Sequence, residues 1–189
     1  MTVSVALRTV VILFPISEIV LALVKRANAL TAEVRDRGSI RLLWAAISLG
    51  VVLGIGAQSV PFARLPGSPL YLRVVALVLL LLGLAIRWTA ILTLGRLFTV
   101  DVAIHREHLV VETGLYRFVR HPSYAGLLLA FVGLGVAFGT WLGMLLLLLP
   151  ITLAVANRIV KEEEALRVSL GAPYEAYSAR TKRLVPGVF

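Results

Sequence analysis

Residues Gly114 to Gly126 read GLYRFVRHPSYAG, a cationic and aromatic turn that runs straight into an apolar segment. From Pro122 the chain stays apolar to about Phe138, reverses at Gly139-Thr140, and is apolar again from Trp141 to Ala156. Proline suits the first turn of a helix, where its missing N–H is not needed. Each run is about 16 to 17 residues long, near the lower limit for a helix crossing a bilayer. Glycines at 133, 135, 139 and 143 argue against one unbroken helix. The stretch therefore predicts a helical hairpin with a polar entrance. The returning helix continues as RIVKEEEALRVSL and stops at Gly171, with Pro173 just beyond, which is the expected order of stop signals.

Upstream, three more apolar segments set the fold class. The first, Thr9 to Val24, is a span extended into its flanks rather than a signal peptide, because Glu18 interrupts it and Lys25-Arg26 follow instead of precede it. A carboxylate facing lipid is costly, so Glu18 is expected to face other helices. The second span, Leu42 to Val60, holds the G-x-x-x-G of Gly50 and Gly54, read as a close-packing face. The third runs from Tyr71 to Leu94. Residues 25–41 and 95–121 are polar connections, the second with short local structure. Hydrophobic residues make up 59% of the 189, and the mean hydropathy of +0.94 excludes an ordinary soluble domain. The expected fold is an all-α integral membrane protein: one domain over residues 1–189, about five transmembrane helices, a hairpin of spans four and five, and a cytoplasmic carboxyl-terminal helix. Residues 1–70 are its amino-terminal scaffold.

Charge gives the orientation. Lys25, Arg26, Arg35, Arg37 and Arg41 fall in one connection, Arg96, Arg106, Arg117 and Arg120 in another, and six more Lys or Arg from Arg158 onward. Only Arg8, Arg64 and Arg73 fall on the opposite side. The positive-inside rule puts the carboxyl terminus and the motif-bearing loops in the cytoplasm. The net charge of +9 is thereby a topology signal, and without a basic stripe or stacking array it does not indicate nucleic acid.

Several chemistries are excluded. There is no cysteine, hence no disulfide, thiol nucleophile or cysteine metal site. No phosphate-binding glycine loop follows a strand. His105 and His108 have a spacing of three but no third ligand nearby, so no metal is expected. What remains is a polar set at a membrane boundary: Arg117, Arg120, His121 and Tyr124 on one side, and Arg158, Glu162, Glu163, Glu164, Tyr174 and Tyr177 on the other. Arg158 and Glu162 share a helix face, with Glu163 turned about 100° away. The plain reading is a solvated interfacial helix. Against it, three adjacent glutamates at the end of a span do nothing for topology.

GLYRFVRHPSYAGLLL and RIVKEEEALRVSLGAPYEAYSARTKRLVPGVF resemble the two signature blocks of the isoprenylcysteine carboxyl methyltransferase family, and RWTAILTLGRLFT resembles the segment that precedes them in bacterial members. The likeness covers about residues 83–189, a family-like catalytic core. It implies methyl transfer from S-adenosylmethionine to a lipid-tailed acceptor in a bacterial inner membrane, the acceptor being an isoprenylcysteine-like carboxylate, with S-adenosylhomocysteine as product. Carried over, the donor-binding set is Gly114, Tyr116, Arg120, His121, Pro122, Tyr124, Gly126, Glu162 and Glu163. A sulfonium and an ammonium want carboxylates, and an adenine wants aromatic contact. The catalytic set is Arg158, Arg87 and Glu162, with Arg158 the first choice to orient an ionised acceptor and Arg87 or Arg96 next. Arg158 equally suits an ion pair with Glu162, and Arg87 a snorkelling role. The bilayer and the lipidic acceptor are the expected partners; oligomeric state stays open. The alternatives are an NADPH-dependent membrane lipid reductase, a methyltransferase of lipidic phenols or pyrones, and a non-enzymatic membrane adaptor.

Overall fold

The computed structural model describes residues 2–24, 32–36, 38–98, 102–105 and 110–187. Six α-helices occur among them: α1 (Val3–Val24), α2 (Gly38–Gly56), α3 (Pro69–Leu94), α4 (Pro122–Ala137), α5 (Trp141–Leu170) and α6 (Ala172–Arg180). Four of these, α1, α2, α3 and α5, are long and apolar enough to cross a membrane. The fourth predicted span, α4, has 16 residues. At 1.5 Å per residue it rises about 24 Å, short of a hydrocarbon core of roughly 30 Å. The hairpin is therefore lopsided, a short arm against the 30-residue α5.

Its ends fall where local chemistry put them. Pro122 occupies the first turn of α4. Gly139 turns the chain at φ +73°, which costs glycine nothing, and the Thr140 hydroxyl caps α5 by accepting from the Gly143 N–H at 3.1 Å. Gly171 ends α5, its N–H donating to the Arg167 carbonyl. α2 departs from expectation by starting at Gly38 rather than Leu42. Asp36 is the reason: its carboxylate accepts from the N–H groups of Gly38 and Ser39, so a polar stretch becomes a first turn.

The helical fold carries one addition. Strands β1 (Ala32–Asp36) and β2 (Val102–His105) pair antiparallel. They join the two long polar connections, which share one end of the bundle. Two segments of five and four residues, about seventy residues apart, are too short for their pattern to reveal such a pairing.

Lipid tails are as apolar as leucine, so helices in a bilayer associate through close packing. On the outer surface Ile12, Leu23, Val52, Leu92 and Leu153 are 60–73% exposed, as a lipid-facing surface requires. Inside, Leu80, Leu147 and Ile151 are fully buried. α3 meets α4 backbone to backbone. A Cβ on Gly83 would lie 2.4 Å from the Ala130 nitrogen, and one on Gly126 2.5 Å from the Arg87 nitrogen. α2 meets α5 in the same way, Gly50 against the Leu147 carbonyl and Gly54 against that of Gly143, so the G-x-x-x-G packs within the chain.

Candidate active site

The end of the bundle that carries β1 and β2 also gathers the start of α4, the last turns of α5, and α6. A 3-10 turn over Gly114–Arg117 delivers the chain to Val119, which bridges in parallel to Lys182. The N–H groups of Arg120 and His121 donate to the carbonyls of Lys182 and Arg183 at 2.8 and 2.9 Å. The segment after α6 therefore holds the loop before α4 by its backbone.

Side chains close the same junction around Glu163, whose carboxylate is 2% exposed. It accepts from Arg120 Nε at 2.9 Å and from both Arg183 Nε and Nη2, at 3.1 and 2.9 Å. His121 Nε2 stands 3.3 Å away, and Arg167 Nη2, one helical turn on, at 3.7 Å. Arg120 also donates to the carbonyls of Ser178 and Thr181. Its hydrogen bonds to Glu163 hold the Arg183 guanidinium above its ordinary pKa. One buried carboxylate thus ties α4, α5 and the segment after α6 together.

The next face of α5 is built differently. The Tyr124 hydroxyl donates to Glu162 Oε2 at 2.7 Å and accepts from Arg158 Nε at 2.6 Å, so it stands between the two residues predicted to pair. Arg158 Nη1 donates to the Ser39 hydroxyl at 3.0 Å, and both residues are buried. Glu162 is only half-buried, and its Oε1 bonds none of the described residues. Glu164 is exposed, as a solvated acid would be.

Arg87 is buried, and all three of its guanidinium nitrogens are engaged. Nε and Nη2 donate to the two oxygens of Glu18 at 2.5 Å each, and Nη1 to the Ser123 hydroxyl at 2.9 Å. Glu18 does face the helices, as expected; Arg87 neither snorkels nor points a nitrogen outward. The pair forms part of the wall of a cavity of about 280 Å³ between α1 and α2, floored by α4. The rest of that wall is apolar but for the Trp44 indole, with Phe14 and Phe131 in edge-to-face contact at 5.3 Å. Ile40 lines the cavity and follows Ser39, the partner of Arg158, whereas Tyr124, Arg158 and Glu162 are not part of its wall.

Of the other predicted residues, Gly126 plays a different part, since its missing Cβ admits the Arg87 backbone rather than a ligand. Pro122 starts α4. Gly114 opens the 3-10 turn at φ +58°. Tyr116 is buried beneath it, its hydroxyl reaching the Ala90 carbonyl at 3.4 Å, while Tyr177 donates to the Tyr116 carbonyl at 2.7 Å. Arg96 is exposed. His108 and the His105 side chain lie outside the described residues, among which no group of three metal ligands occurs.

Burial pushes the Tyr177 phenol up to about 12, against the pull of Arg120. Tyr174 is raised as well, by burial first and then by the Glu163 charge. The residue is 3% exposed, and its hydroxyl is the one buried side-chain polar atom without a partner among the described residues. Sequence reasoning missed Arg183, Ser39 and Ser123. Arg183 sat in plain view in TKRLVP but was read as a topology charge, whereas the two serines carry no sequence signal.

Known proteins share this arrangement of elements. Residues 75–168 match the isoprenylcysteine carboxyl methyltransferase family, a stretch from α3 into the last turns of α5 that holds both Arg120-His121-Pro122 and Glu162-Glu163. A probable protein-S-isoprenylcysteine O-methyltransferase of Oryza sativa subsp. indica is 35% identical over 118 residues, 61% of this chain and 62% of the relative. Protein-S-isoprenylcysteine O-methyltransferase B of Arabidopsis thaliana is 37% identical over 114 residues, covering 59% and 58%. The Schizosaccharomyces pombe enzyme is 34% identical, covering 59% of this chain and 48% of its own. The chain thus spans about half to three fifths of the curated relatives it matches. In fold it resembles the solved eukaryotic intramembrane Ras methyltransferase ICMT, with a TM-score of 0.62 at 23% identity over 81% of this chain and 54% of that one. The chain belongs to the isoprenylcysteine carboxyl methyltransferase family.

Proposed function

We propose, with that membership as premise, that this integral membrane protein transfers a methyl group from S-adenosylmethionine to the carboxylate of a lipid-tailed, isoprenylcysteine-like acceptor. One observation carries the reading: the Arg158–Tyr124–Glu162 chain, whose Glu162 Oε1 bonds none of the described residues, is tied through Ser39 to the helix that walls an apolar slot. The slot takes the tail and the polar chain takes the head. The names of the relatives supply the acceptor class.

The residues present fit the donor. Glu162 Oε1 is an open acceptor for an ammonium or a ribose diol, and the buried Tyr174 hydroxyl is a donor that lacks a partner among the described residues. A buried polar group left unbonded is costly, so a ligand that bonds it is favoured. Glu163, with its cations in place, holds the walls of this site instead of touching the donor. S-adenosylmethionine, when bound, supplies a methyl group on a sulfonium, which an oxygen attacks in line. What the chain itself contributes is placement. Arg158 orients the acceptor's carboxylate, already ionised at neutral pH, so no general base is needed. Tyr177, titrating near 12, stays protonated and serves as a donor, not a base. The bundle end that holds the site collects most of the Lys and Arg, which supports a cytoplasmic site.

Calorimetric titration of S-adenosylhomocysteine into detergent-purified protein tests the reading, with a methyl-transfer assay on an S-farnesylcysteine derivative beside it. Binding by the parent and loss of at least tenfold affinity in Glu162→Ala are expected. Binding of NADPH in place of S-adenosylhomocysteine would make the protein a reductase, and binding of neither an adaptor.

A further inference from the structure

A buried ion pair inside a span calls for explanation, because charge in a membrane interior is costly and is kept where it has work to do. Glu18 lies in α1, outside the family-matching stretch, and is the one acidic residue of that helix. Both of its oxygens are taken by Arg87. The third nitrogen of Arg87 reaches Ser123, the second residue of α4, donating to its hydroxyl at 2.9 Å and lying 3.3 Å from its carbonyl. Ser123 is flanked within two residues by His121, which meets Glu163, and by Tyr124, which bridges Arg158 and Glu162. Gly126 lets α4 approach the Arg87 backbone directly, so that the Arg87 side chain can span to that first turn.

We infer that Glu18 is a positioning residue: acting through Arg87 and Ser123, it fixes the first turn of α4 and with it Tyr124 and His121. A lone Arg87, in an apolar cavity, has other rotamers open to it. The bidentate pairing selects one, since two parallel N–H···O bonds fix the plane of the guanidinium as well as its position. The amino-terminal helix, which lines the slot, thereby also acts on the Tyr124 cluster at the start of α4. The inference rests on the donor reading above.

The test uses the full chain in detergent and reads S-adenosylhomocysteine affinity, thermal unfolding and the kcat–KM split together. Replacing a buried ion pair by apolar side chains of similar volume is often neutral for stability. Glu18→Met/Arg87→Met is therefore expected to unfold at the parent's temperature, within a few degrees, yet to bind S-adenosylhomocysteine at least tenfold more weakly with a lowered kcat. Glu18→Gln, which can still bond Arg87 once, is expected to recover part of both. Should the double variant fail to fold, Ser123→Ala removes the shorter of the two Arg87–Ser123 bonds, keeping the carbonyl at 3.3 Å, and is expected to weaken binding several-fold at nearly unchanged stability. Parent-like affinity in a folded double variant, or in Ser123→Ala, overturns the positioning role and leaves the donor reading standing. A parent that binds no S-adenosylhomocysteine overturns both.

Discussion

Glu162 and Glu163 are neighbours in sequence and belong to two differently built faces of α5. On the Glu163 face every carboxylate oxygen meets cations, and the group is buried. On the Glu162 face a tyrosine and an arginine form a chain that ends in an oxygen bonded to none of the described residues. Saturation makes the first face a fastening, while the second is the face to which the proposed function assigns the ligand. About a hundred degrees of helix separates the two roles.

Removing the fastening is the strongest way to break this contrast. Glu163→Ala leaves Arg120 and Arg183 without their shared anion, and loss of one partner of a buried pair costs about 3–5 kcal/mol. Thermal unfolding in detergent is expected to show that loss. Gly126→Ala attacks the frame both faces lean on. Its new Cβ meets the Arg87 backbone at 2.5 Å, an overpacking cost of about 1–3 kcal/mol on the same measurement. Glu162→Gln sharpens the contrast instead: unfolding is expected to stay within about 0.5 kcal/mol of the parent. Its affinity for S-adenosylhomocysteine is expected to fall about tenfold, worth about 1.4 kcal/mol.

The smallest effect is acid-driven and belongs to neither face. Asp36 is slightly desolvated, but its bonds to Ser39, Gly38 and Lys161 outweigh that and lower its carboxyl from 3.8 to about 2. A depressed acid contributes stability above its unfolded value and loses it as pH falls toward the folded one. The parent is thus expected to lose this contribution between about pH 4 and pH 2. Asp36→Ala, missing it from the start, is expected to cost about 1 kcal/mol at neutral pH.

Sequence told most where structure is local. Pro122, Gly139-Thr140 and Gly171 act within a turn of themselves, and the hairpin ends fall on them. The site was legible as two blocks that meet, and Arg120, His121 and Glu163 do meet. Which glutamate is open was not legible, because it depends on Arg183 folding back over α5. Nor was the Glu18 partner: a carboxylate in a span announces a need for a cation, but Arg87 is 69 residues away and only packing selects it. The ribbon of β1 and β2 and the early start of α2 stayed hidden for a like reason, since polar connections carry no periodic signal.

The Arg183–Glu163 bond also has a consequence in time. Ribosomes add about 5–20 residues per second, and Arg183 is made 20 residues after Glu163. For about one to four seconds every growing copy carries that glutamate without its last cation, with three long apolar helices already synthesised and the fourth, which holds Glu163, nearly so. Insertion of the bundle can therefore run ahead of this junction, and the latch that fastens it leaves the ribosome after the spanning helices.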